Sequence, residues 1–150
     1  MNGDFETGGY LPWFVIDQTA DVSLISVPGS DSAPNPQSHP TGGQYALKLE
    51  FLSSYVVPKS IDFGYRLANT VIGRDYSISF DIASCSNSND IWNVYINDET
   101  VNSFVIQGDC ATWTTTFTAV GNDLIRISVT SNVALITSQW YFDNFVVVAL

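Results

Sequence analysis

Apolar and polar residues alternate with a period of two along most of this chain, and helical spacing is hard to find. Successive side chains of a strand point to opposite faces, so such alternation predicts strands with one buried face. Tyr76, Ile78, Phe80 and Ile82 alternate with Ser77, Ser79 and Asp81. Trp92, Val94 and Ile96 alternate with Asn93, Tyr95 and Asn97, and Trp113, Thr115 and Phe117 alternate with Thr114, Thr116 and Thr118. Ile125, Ile127 and Val129 do the same with Leu124, Arg126, Ser128 and Thr130. Further strands are predicted from Met1 to Glu6, Val22 to Val27, Tyr45 to Phe51, Ile61 to Ala68, Asn102 to Gln107 and Gln139 to Ala149. The last of these is apolar on both faces, the mark of a central strand covered on both sides.

Turn chemistry separates the runs, at Gly73-Arg74-Asp75, Asn97-Asp98-Glu99, Gly108-Asp109 and Gly121-Asn122-Asp123. Short strands with turns roughly every 8 to 12 residues predict an all-β fold, a two-sheet antiparallel β-sandwich. One stretch breaks the rhythm. Pro28 to Gln44 holds four of the six prolines and no periodicity, so it is either disordered or a functional loop. No repeat or second domain is visible, and residues 1–150 are expected to form one domain.

Composition narrows the function. The hydrophobic share of 45% suits a packed core, while charged residues make up only 13%, about half the usual share. Fifteen acidic residues face five basic ones, a formal net charge of −10. Such a surface repels nucleic acid and anionic membrane and suits a neutral polymer or a cation. No apolar run reaches transmembrane length. Cys85 and Cys110 are either reduced thiols or a disulfide. A bridge would add about 3 kcal/mol of stability and require an oxidising compartment.

Two motifs bracket the chain: Asn2-Gly3-Asp4-Phe5-Glu6 with Trp13 shortly after, and Tyr141-Phe142-Asp143-Asn144-Phe145 near the end. Together they resemble the β-sandwich carbohydrate-binding modules of families 4 and 22, which have the galactose-binding-domain-like jelly roll. The resemblance implies jelly-roll topology, with the first and last strands paired. It implies a structural calcium held by the carboxylates of Glu6 and Asp143, the main-chain carbonyl of Asp4, and oxygens of Gly43-Gln44. The family often offers a further acid near that segment, where this chain has Thr41 and Gly42. Paired strands would bring Glu6 and Asp143 together only with a cation or protons between them. Such modules are secreted parts of larger proteins, and the chain's opening and closing directly on family-like strands fits an excised module.

Sugars are bound by stacking their C–H faces on aromatic rings while polar side chains hydrogen-bond the hydroxyls. Trp13 sits where the family buries a Trp, and Phe5, Phe80, Phe117 and Phe142 lie on apolar faces; these are expected in the core. Trp92 shares a face with Val94 and Ile96. In one register Trp92 is buried, and Asn93, Tyr95 and Asn97 face outward as an amide-tyrosine-amide row. In the reverse register Trp92 is the platform. Tyr55 falls in the loop after the third strand, where the resembling modules often place a stacking aromatic. Arg66 projects from a polar strand face and either contacts ligand hydroxyls or pairs with Asp62 or Glu50. Trp140 and Tyr141 lie on opposite faces of the closing strand, and Tyr141 completes the candidate ligand set.

Nothing marks a catalytic site. Glycoside hydrolysis needs two carboxylates flanking a cleft, and Asp81 with Asp90 or Glu50 is only one arbitrary pair among fifteen acids. The single histidine, His39, lies in the Pro-rich stretch, and no phosphate loop or zinc motif is present. The expected function is a non-catalytic module binding a wall polysaccharide of β-glucan or xylan type. An adhesion or spacer sandwich without a sugar site is the alternative, which the Thr114-Thr116-Thr118 row favours. A protein-binding jelly roll associating through Val146 to Val148 is a third reading.

Overall fold

The computed structural model describes residues 13–28, 45–84, 89–105 and 111–150. The ten strands are β1 (Phe14–Gln18), β2 (Val22–Pro28), β3 (Tyr45–Phe51), β4 (Lys59–Leu67), β5 (Asp75–Ser84), β6 (Ile91–Ile96), β7 (Glu99–Val105), β8 (Ala111–Thr118), β9 (Asp123–Ser131) and β10 (Ser138–Ala149). They form two five-stranded sheets. Sheet A runs β1-β4-β9-β6-β7 and sheet B runs β2-β3-β10-β5-β8. Every pairing is antiparallel. From β3 onward the chain crosses between the sheets at nearly every connection, which is jelly-roll topology. β10 is indeed the central strand of sheet B.

The alternation is kept most strictly in β6 and β9. In β9 every second residue from Asp123 to Ser131 is buried, and β6 buries Trp92, Val94 and Ile96. Ile61, Phe63, Tyr65 and Leu67 of β4 meet Leu47, Leu49, Phe51, Ile78, Phe80 and Ile82 of sheet B in one core. Trp13 plugs one side of that core. Its ring lies 4.9 Å from Phe145, 5.1 Å from Phe142 and 5.2 Å from Tyr65, all edge-on. Edge-to-face pairs add about 0.5–1.5 kcal/mol each beyond their area burial. Truncating such a Trp costs about 3–5 kcal/mol.

Two strands differ from expectation. β1 was not legible, because it is an edge strand with a register shift between Val15 and Asp17 and all five residues exposed. β7 starts at Glu99 rather than Asn102, because the β6–β7 turn is tight. Asn97 and Asp98 both hold positive φ, 51° and 66°, the two-residue hairpin geometry that suits Asn and Asp. The predicted Met1 to Glu6 strand, the Pro-rich loop, His39 and both cysteines lie outside the described residues.

Two buried polar groups fasten the ends. Lys59, 1% exposed, sends its ammonium to the carbonyls of Leu52 and Ile136, both at 3.0 Å. It thereby ties the β3–β4 loop to the β9–β10 loop, which are also joined by the Leu135 N–H donating to Ser54 O. At the opposite end, the Asp123 carboxylate accepts from Thr70 Oγ1, Asn97 Nδ2 (2.6 Å) and the Val120 N–H (3.0 Å). Burial works to raise the pKa of Asp123, but those donors outweigh it and the net shift is downward. Burial alone pushes the Tyr65 phenol up.

Candidate functional site

The outer face of sheet A gathers the groups best suited to a ligand. Directly opposed residues of antiparallel strands share a face, so the register defines rows across the sheet. One row runs Phe14, Gly64, Arg126, Tyr95 and Thr100. The next runs Asp17, Asp62, Ser128, Asn93 and Ser103. At the centre, the Arg126 guanidinium lies 3.8 Å above the Tyr95 ring centroid. Its Nη1 donates to Asp62 Oδ2 at 2.8 Å, and its Nε is 3.8 Å from Asp98 Oδ1. Both members of the Arg126–Asp62 pair remain partly exposed. The result is a rigid flat unit of aromatic ring and guanidinium, edged by a carboxylate and by Asn93. Gly64 beside it leaves little room for a side chain. A Cβ there would come within 3.1 Å of Ile125 O and of Ile16 Cδ1, which occupies the space over the strand.

The candidate residues disperse. Asn93 and Tyr95 lie on this face, and Arg66 follows two positions beyond Gly64 on the same side of β4. Arg66 pairs with neither expected acid. Its Nη1 donates to Asn122 O at 3.2 Å, while Asp62 is taken by Arg126 and Glu50 by Lys48. Trp92 is fully buried, packed at 5.4 Å against Trp140 and stacked on Phe104. The inward register excludes it as a platform. Asn97 is committed to the turn, donating to Asp123 and accepting from the Leu124 N–H. Tyr141 stands on the outer face of sheet B and is 6% exposed, so it offers no surface to a ligand on sheet A. Tyr55 is 83% exposed on the β3–β4 loop, among Leu52, Val56 and Val57.

Phe14, Asp62 and Arg126 were missed as candidates. Arg126 sits at a polar position of a perfectly alternating strand, so its outward aim was legible; its partner across β6 was not. Phe14 belongs to the unpredicted edge strand.

Of the candidate metal ligands, Asp4, Glu6 and Gln44 lie outside the described residues. Asp143 is 2% exposed although it points away from the core, opposite Asp81 on β5. β10 bulges just after it, with Asn144 at φ 52°. The Asn144 N–H donates to Asp143 Oδ1 and its side-chain amide to Asp81 Oδ2, both at 2.8 Å. Among the described residues, no group of three or more His, Cys, Asp or Glu gathers. The acids considered for catalysis each accept hydrogen bonds from neighbouring side chains. Asp81 accepts from Thr112 and Asn144, Asp90 from Ser138 and Trp140, and Glu50 from Gln139.

The fold is of the carbohydrate-binding-module type. A family 61 carbohydrate-binding module in complex with β-1,4-galactotriose is similar over 99% of this chain and 96% of its own, at TM-score 0.66 and 17% identity. The family 22 carbohydrate-binding module and family 10 glycoside hydrolase module of a Clostridium thermocellum endo-1,4-β-xylanase, complexed with xylohexaose, match over 97% of this chain but 27% of theirs (TM-score 0.66, 14% identity). The enzymatically active domain of a bacteriophage CBA120 tailspike protein matches over the whole chain and 21% of its own length (TM-score 0.67, 12% identity). The fold thus occurs both as a binding module and within larger enzymes. No family model matches the sequence, and neither does any curated protein.

Proposed function

We propose that this chain is a non-catalytic carbohydrate-binding module that takes a wall polysaccharide of β-glucan or xylan type on the outer face of sheet A. The observation that carries this reading is the Tyr95–Arg126–Asp62 unit, a flat aromatic and guanidinium surface with hydrogen-bonding edges. Asn93 and Arg66 extend the polar line along the strands, and Phe14 offers an apolar contact at the β1 edge. Among the described residues, the Thr112, Thr114, Thr116 and Thr118 row over Ser77 and Ser79 on the opposite face carries no such unit. That contrast argues against the adhesion or spacer alternative. Affinity gel electrophoresis on xylan, mixed-linkage β-glucan, laminarin and cellulose derivatives tests the proposal. Retardation on at least one polymer, lost in Tyr95→Ala, is expected; normal migration on all four defeats it.

A structural calcium belongs to the same proposal, with Asp143, Glu6 and oxygens of Asp4 and Gln44 as its ligands. Asp143 suits that role, being a buried carboxylate set opposite a second one, Asp81, and an ion there would lock the closing strand. Excess calcium should then raise the melting temperature over that in chelator, and identical melting curves refute the assignment. Secretion as part of a larger protein completes the reading. It expects Cys85 and Cys110 to be bridged, so a thiol titration of denatured protein that counts two free thiols removes that support.

A further inference from the structure

The two sheets part company along one flank. There β7, the last described strand of sheet A, faces β8, the last described strand of sheet B. At one end of the flank the gap is closed by Phe104 stacked on Trp113 at 6.3 Å. Toward the β6–β7 turn it opens into a groove of about 380 Å³, lined by Ile96, Asn97, Glu99, Val101, Thr116, Phe117, Thr118 and Val120. That volume falls within the range of small-molecule sites. A register shift between β6 and β7 falls opposite Val101, which is left as the extra residue between Thr100 and Asn102. Bulges at sheet edges end pairing and re-aim side chains, and here Val101 is turned to the groove.

We infer that this groove is a second binding site, separate from the outer face of sheet A, for a single neutral hydroxylated ring such as one sugar residue. Its floor of Ile96, Val101 and Phe117 is apolar and fits a C–H face, and the Phe117 ring is braced from behind by stacking on Tyr76. Its rim offers hydroxyl partners. The Glu99 carboxylate is exposed and accepts from hydroxyl pairs. Thr118 Oγ1 donates to Asp75 at 2.6 Å on the outer face of sheet B and is not one of these partners. Asn97 forms a fixed wall, since both ends of its amide are engaged. Among the described lining residues there is one carboxylate and no cation, so an anionic ring is repelled.

Titrating the ¹⁵N-labelled protein with glucose, galactose, xylose and, as the charged control, glucuronate tests the site. At least one neutral sugar should shift the amides of Glu99, Val101, Thr116, Thr118 and Val120, and glucuronate should not. Val120→Trp and Val101→Trp fill the groove from its rim and its floor and should each weaken binding about tenfold, whereas Tyr95→Ala should leave the groove shifts unchanged. Absence of shifts with all three neutral sugars, equal response to glucuronate, or binding undiminished in both Trp variants overturns the inference. Shifts confined to Asn93 and Tyr95 also overturn it while leaving the polysaccharide proposal standing. Groove shifts with an inert Tyr95 face do the reverse.

Discussion

Arg126 has three neighbours that matter, and each asks something different of it. Asp62 needs a positive charge, Tyr95 needs a flat one, and the sheet needs a stem that lies along its surface. Lysine supplies the charge but not the plane. Partly exposed ion pairs contribute about 0.2–1 kcal/mol, so Arg126→Lys should change the unfolding free energy by less than about 1 kcal/mol. Retardation on the retarding polysaccharide should nevertheless fall severalfold, because the stacked guanidinium is gone; equal retardation would show that the unit is only structural. Asp123 carries a different prediction. Its folded pKa is depressed, so its contribution is present above the unfolded carboxylate value near 3.9 and is lost as pH falls through the lower folded value. Asp123→Asn should cost about 1–3 kcal/mol at neutral pH by leaving Asn97, Thr70 or Val120 mispaired. It should also flatten the acid limb of a stability-versus-pH curve, which urea titrations at several pH values will show.

At the scale of elements, what could be read from sequence tracks how strictly an element alternates. β5, β6, β8 and β9 each bury one face, and their side chains announced both their existence and their aim. β1 escaped because an exposed, bulged edge strand has no buried face to impose a pattern. The site was half legible for the same reason. Asn93 and Tyr95 follow from the phase of β6, but Arg126 reaches Tyr95 only because β9 lies beside β6, a pairing between strands distant in sequence. Trp92 and Tyr141 show the limit from the other side, since aromatic chemistry says nothing about burial. Lys59 was also hidden in plain view. It is in phase with Ile61, Phe63 and Tyr65, and its inward ammonium ties two loops by their carbonyls. Lys59→Met keeps the length of the stem and removes both bonds. Hydrogen exchange should then accelerate in residues 52–58 and 132–137 while β9 and β10 stay protected. Uniform acceleration would mean that the lysine supports the whole sandwich instead.

For the molecule as a whole, charge separates stability from binding. Fifteen acids and five bases leave −10, and few of the cations relieve it. Lys48 and Arg126 meet acids, but Lys59 is spent on carbonyls and Arg66 on Asn122 O. Self-repulsion of this kind destabilises the compact state, and it is screened over a Debye length of about 10 Å at 0.1 M salt. Raising sodium chloride from low to near-molar concentration should therefore raise the melting temperature. Binding of a neutral polysaccharide involves stacking and hydrogen bonds rather than counterion release, so retardation in the affinity gel should barely change over the same range. A steep loss of retardation with salt would identify a charged polymer as the ligand and overturn the neutral wall polysaccharide.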